Sequence, residues 1–139
     1  IMPQQEKITK KLDFDKRARI EGVRILAKAA NYSVDSFLDS GSYIAADNSS
    51  QLIFFTLPAV ASCNGHYWNF FAANTGKFQI VAATNVLVSD YGVATKAVNF
   101  GHGKEGEGCR IICNGTKFYL VGVNPLGSAV QANVSYQQG

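Results

Sequence analysis

His66, His102, Cys63, Cys109 and Cys113 are the side chains whose types suit nucleophilic, acid–base or metal chemistry near neutral pH. The two histidines lie in different segments, without an HxxxH or HxH spacing that would aim two ring nitrogens at one metal. Cys63 precedes His66 by three residues, next to Gly65, so a thiol nucleophile with an imidazole base, as in a small cysteine-dependent hydrolase, is one reading of that stretch. Three residues of loop fix no hydrogen-bond geometry, and a packed histidine beside Tyr67 and Trp68 accounts for the same residues more simply. The cysteines are odd in number and form no CxxC pair. That predicts free, mostly buried thiols rather than a disulfide framework or a zinc site.

The run from Gly101 through His102, Gly103, Lys104, Glu105, Gly106 and Glu107 to Gly108 is rich enough in glycine to cradle a phosphate with backbone N–H groups. Its context argues against that. A P-loop needs GxxxxGK[ST] running into a helix, whereas Lys104 is followed by Glu105 and the chain enters a β-rich stretch. Glu105 and Glu107 would repel a phosphate, and calcium-loop spacing is absent. A flexible, solvated hairpin loop is the expectation. No catalytic residue, metal or cofactor is predicted.

From Tyr32 onward, short β-branched and aromatic runs alternate with Gly, Asn, Asp and Ser clusters, the pattern of a β-sandwich or jelly-roll-like body. Strands are predicted at Tyr43 to Ala46, Gln51 to Leu57, His66 to Ala72, Lys77 to Val81, Val86 to Ser89, Ala94 to Phe100, Gly108 to Asn114, Lys117 to Val121 and Ala129 to Ser135. No repeat of solenoid type is visible. Asn114-Gly115 between apolar runs signals a hairpin with a type I′ turn. Alternation then puts Cys109, Ile111 and Cys113 on one face and Arg110 and Ile112 on the other. Neither face is wholly polar, which makes Arg110 and Ile112 candidates to face a second copy. Before this body, apolar positions between Asp13 and Ala30 partly fit a helical stripe, interrupted by Gly22.

Composition supports one domain, with 139 residues, 47% hydrophobic and 17% charged. The formal charge of +3 is unevenly spread. Residues 1–28 hold eight cationic and four acidic side chains, a net +4, whereas the remainder holds five and six, a net −1. We read residues 1–30 as a basic, extended, partly helical arm and residues 31–139 as a β-rich body. Such an arm docks onto an acidic surface or remains a solvated tail. Aromatics sit in apolar strands and no nucleic-acid motif accompanies the arm, so nucleic acid is not the expected partner. The opening IMPQQEKITKK has no signal-peptide stretch and no apolar run reaches membrane-spanning length, so assembly in the cytoplasm, without membrane contact, is expected.

Taken in order, the basic arm, Ala29-Ala30-Asn31-Tyr32-Ser33-Val34, Asp39-Ser40-Gly41, Phe55-Thr56-Leu57-Pro58-Ala59 and the run from Gly108 to Gly122 resemble the decoration, or cement, proteins of tailed-bacteriophage capsids. Similar modules occur in phage fibres. The resemblance implies a homotrimer on the outer capsid surface that contacts the major capsid protein and stiffens the shell. It assigns docking to the arm residues Lys7, Lys10, Lys11, Lys16, Arg17, Arg19 and Arg24. The alternative it leaves is a fibre or receptor-binding module for a host surface glycan.

Overall fold

Side chains branched at Cβ or carrying rings suit a pleated surface, and the runs that carry them form strands. The computed structural model describes residues 23–88, 94–101, 105–124 and 134–137. Among these the chain is mainly β. Its strands are β1 (Ile25–Lys28), β2 (Tyr32–Ser33), β3 (Tyr43–Ala46), β4 (Ile53–Thr56), β5 (Tyr67–Ala72), β6 (Phe78–Val81), β7 (Leu87–Val88), β8 (Ala94–Thr95), β9 (Ala97–Phe100), β10 (Gly108–Cys113), β11 (Phe118–Asn124) and β12 (Val134–Gln137). One 3-10 turn, Val60–Ser62, precedes β5.

Over its described residues each of the nine predicted strands meets an observed one, with Ser89 and residues 129–133 of the last run outside the described residues; the run Ala94 to Phe100 divides at Lys96 into β8 and β9. The helical stripe ending at Ala30 is corrected over its described end. Ile25–Lys28 is a strand, paired in parallel with β3 from Ile25↔Tyr43 to Lys28↔Ala46. Val23 and Ile25 are poor helix formers, and a sheet edge offers Ile25–Lys28 backbone partners that an isolated helical turn lacks. Residues 13–22 of that stripe lie outside the described residues.

Two mixed sheets result, with strand orders β1-β3-β5-β10-β11-β7-β8 and β12-β9-β6-β4-β2. The first six strands alternate between the sheets, and from β3 to β6 each pairs in parallel with the strand two before it. This half is therefore a short parallel coil. Its turns differ in length: Ile25 aligns with Tyr43, 18 residues on, but Tyr43 aligns with Asn69, 26 residues on. The later strands β9 and β10 instead pair antiparallel with β6 and β5.

Inward side chains of both sheets meet in one core. Phe55 of the five-stranded sheet lies 5.6 Å from Phe70 of the seven-stranded one, ring centre to ring centre. Phe78 and Phe100 stack at 4.8 Å, and Trp68 meets Phe118 at 6.2 Å. These six rings are almost wholly buried, each contributing about 1.5–3 kcal/mol of transfer free energy.

Two glycines set the local geometry of β10. At Gly108 the backbone of β5 approaches so closely that a Cβ would overlap the Phe70 carbonyl and Phe71 Cα, at the point where the β10–β11 register shifts. At the hairpin, Asn114 N–H donates to the Lys117 carbonyl (3.2 Å), which makes Gly115-Thr116 the central pair. Gly115 has φ +88° and no described residue other than glycine has positive φ. One positive φ at the first central position is the II′ pattern, so the expected I′ turn at Asn114-Gly115 is corrected by one residue. Asn114 instead acts through its side chain, whose Oδ1 accepts from the N–H groups of Thr116 (3.0 Å) and Lys117 (2.9 Å).

Candidate interaction surface

The thiol and imidazole that suggested chemistry are turned to structural contacts. Cys63 is fully buried, and its Sγ donates to the Ala59 carbonyl at 3.1 Å. Burial pushes its thiol pKa up, which disfavours the nucleophilic thiolate. His66 is half-buried, its Nδ1 2.9 Å from Ser40 Oγ. Cys113 Sγ donates to the Val60 carbonyl at 3.4 Å, and burial raises the Cys109 thiol. All three cysteines are free. Among the described residues no three His, Cys, Asp or Glu side chains cluster as a metal site would require, and no helix is long and apolar enough to cross a membrane.

The glycine-rich loop departs from expectation. Its residues 102–104, His102 included, lie outside the described residues. Glu107, expected in solvent, is fully buried, because its carbonyl accepts from Ala72 N–H (2.8 Å) while Gly106 N–H donates to the Ala72 carbonyl (2.7 Å). These bonds carry the β5–β10 ladder past Gly108 and draw the acidic residue in with it.

Of the predicted docking cations, Lys7, Lys10, Lys11, Lys16, Arg17 and Arg19 lie outside the described residues. Arg24 is bound within its own chain: Nη1 donates to the Leu38 carbonyl (2.6 Å) and meets Asp39 Oδ1 at 3.4 Å. Arg110 and Ile112 point outward from β10 as alternation predicted, while Cys109, Ile111 and Cys113 point into the core. Their neighbours on that outer face were not anticipated.

Register builds the surface. Ile25, Tyr43, Asn69, Arg110 and Val121 stand side by side across β1, β3, β5, β10 and β11. Tyr67, Ile112 and Tyr119 form the adjoining row. Ile25 and Val121 are 61% and 40% exposed, and Tyr67, Ile112 and Tyr119 are also open to solvent. At the centre Arg110 Nε donates to Asn69 Oδ1 (2.8 Å), and the guanidinium lies 5.3 Å from the Tyr67 ring centre. Along one side runs a groove of about 580 Å³, lined by Val23, Ile25, Tyr43, Phe71, Arg110 and Val121 among others.

A second apolar feature stands at the end of the sheet. Phe37 and Leu38, 78% and 68% exposed, tip the loop between β2 and β3. Asp35 Oδ1 accepts from the N–H groups of both residues (2.9 and 2.7 Å), which also lowers the Asp35 pKa. Below the tip, buried Asp39 accepts from Tyr32 OH (2.6 Å) and Asp35 N–H (2.8 Å) through Oδ2. The tip is thus held firmly although its side chains touch water. Two large apolar residues inside a Ser/Asp/Gly turn cluster were the visible signal for it.

No match was found when the chain was compared with protein-family models, with curated proteins and with solved structures.

Proposed function

We propose that this chain is a non-catalytic structural protein of a bacteriophage virion, a β-sandwich that decorates and stabilises the outside of the capsid as a homotrimer. Its parallel pairs set the sandwich apart from an all-antiparallel jelly roll. The observation that carries the reading is the outer face of the seven-stranded sheet, where exposed apolar side chains stand in two adjoining rows around one held arginine. A solvent-facing sheet normally alternates to a polar surface, and contiguous apolar area of this kind belongs to association. The basic arm supplies the contact to the major capsid protein. Several arms on one oligomer multiply a weak individual contact through effective concentration.

The test is decoration of expanded heads, read by co-sedimentation. The full chain should bind, and a chain lacking residues 1–22 should not, while retaining its fold because β1 is kept. Binding by the truncated chain overturns the role of the arm; no binding by the full chain overturns the capsid reading.

Tyr67, Tyr119 and Arg110 on one exposed face also favour a second reading, a fibre or receptor-binding module, since rings beside a polar donor suit a glycan. Saturable binding to a glycan array, lost in Tyr67→Ala, would support it; a blank array removes it.

A further inference from the structure

The outer face leaves open which surface of a second copy covers it. We propose that the Phe37-Leu38 tip of one copy seats in the groove beside Arg110 of the next, so that copies join head to tail. This rests on the self-association reading above and names its contact.

The two features are complementary in shape and chemistry. The groove is mainly apolar, and Arg110 is the one cation among its described lining residues. The tip projects two apolar side chains, and exposed Asp35 stands two residues before Phe37. Arg110 gives Nε to Asn69, and the guanidinium has further N–H donors suited to a carboxylate. Asp35 supplies such a carboxylate, held by the turn that also fixes the tip, so little ordering cost falls on binding.

Position makes the contact directional. The Arg24 bond to the Leu38 carbonyl ties the base of the tip to residues just before β1, where Val23 and Ile25 line the groove. Tip and groove are therefore distinct patches lying near each other on one molecule. A contact between distinct patches is heterologous, and it closes into a ring when the rotation between copies allows.

Sedimentation equilibrium of the full chain tests this, with circular dichroism reporting the fold of every variant. The wild type should be oligomeric. F37D/L38D should weaken association roughly 30-fold or more, as loss of an interface hot spot does. R110E/V121D should do the same. Mixing these two variants restores one intact tip and one intact groove, and should yield a 1:1 heterodimer that does not close. Asp35→Asn keeps the carbonyl that caps the turn, and should bind more weakly with reduced salt dependence. An F37D/L38D variant as oligomeric as the wild type overturns the tip-in-groove contact and leaves self-association standing. The same holds if R110E/V121D remains oligomeric, as expected were the chain's own residues 1–22 to fill the groove, or if the mixture stays monomeric. A monomeric wild type overturns self-association itself.

Discussion

The strands β5, β10 and β11 carry apolar side chains on both faces, and the two faces meet opposite fates. Inward, Trp68, Ile111 and Phe118 are at most 1% exposed and packed against rings of the same core. Outward, Tyr67, Ile112 and Tyr119 occupy neighbouring register positions and are 40%, 38% and 36% exposed. Burial of apolar area is worth roughly 25 cal/mol per Å², so the inner face contributes to folding while the area left open on the outer face is available to association. One strand set thus serves both folding and association.

The largest effect that would break this comparison is on the inner side. Trp68→Ala should cost about 3–5 kcal/mol in urea unfolding, because it leaves a cavity between the sheets. Ile112→Ala, next to it in the ladder but outward, should change monomer stability by less than about 0.5 kcal/mol. Equal losses at the two positions would mean that the outer face is already covered within the monomer.

The tip loop sharpens the contrast, being exposed at its side chains and core-like at its base. Asp39→Ala removes a buried acceptor of Tyr32 OH and Asp35 N–H and one of the two partners of Arg24, which keeps the Leu38 carbonyl. A loss of about 2–3 kcal/mol is expected from hydrogen bonds to a charged group, read as a shifted urea midpoint. Association should weaken as well, since the tip loses its support. Unchanged stability would show that the Asp35 turn and the Arg24–Leu38 bond hold the loop without Asp39.

Much of this arrangement was legible in residue order, and the parts that were not share a cause. Local patterns located the later strands: alternation in Cys109-Arg110-Ile111-Ile112-Cys113 placed each side chain on its observed face. The parallel coil was hidden because its partners are 18 and 26 residues apart, so unequal turns leave no period to find. Ile25–Lys28 is a strand only because β3 lies beside it, and four residues carry no signal of so distant a partner. Asn69 is one polar residue in the aromatic run from Tyr67 to Phe71, and register alone sets it opposite Arg110. The interaction surface was half visible for the same reason, its β10 members in the alternation and its neighbours only in the pairing.

A smaller effect is expected at the β10–β11 hairpin. Asn114→Ala deletes the Oδ1 that accepts from Thr116 and Lys117 N–H, both near solvent, and should cost about 1 kcal/mol. The measurement is the urea midpoint alongside the oligomer mass. Asn114 Nδ2 also donates to Tyr119 OH (3.4 Å), but Asn114 belongs to neither the tip nor the groove, so the mass should hold, and a lost oligomer would extend the interface to the turn.

The smallest effect is a pH dependence at the base of the tip. Burial first, then the hydrogen bond and charge of Asp39, push the Tyr32 phenol up from 10.0 to about 12. The folded protein then holds this proton more tightly than the unfolded chain does. The stability it contributes is whole below pH 10 and is lost as pH rises toward about 12. Lysines and other tyrosines titrate in the same range, so the informative quantity is the difference between wild type and Tyr32→Phe, which cannot ionise. Wild type should be the more stable at pH 8, through the Tyr32–Asp39 bond, and that advantage should shrink between pH 10 and 12. Because the ring is only half-buried, solvent screens the effect and keeps it below that of Asp39→Ala. A wild-type advantage that stays constant to pH 12 would show that Asp39 does not hold the phenol proton, and that the tip is fixed by its backbone turn and Arg24 instead.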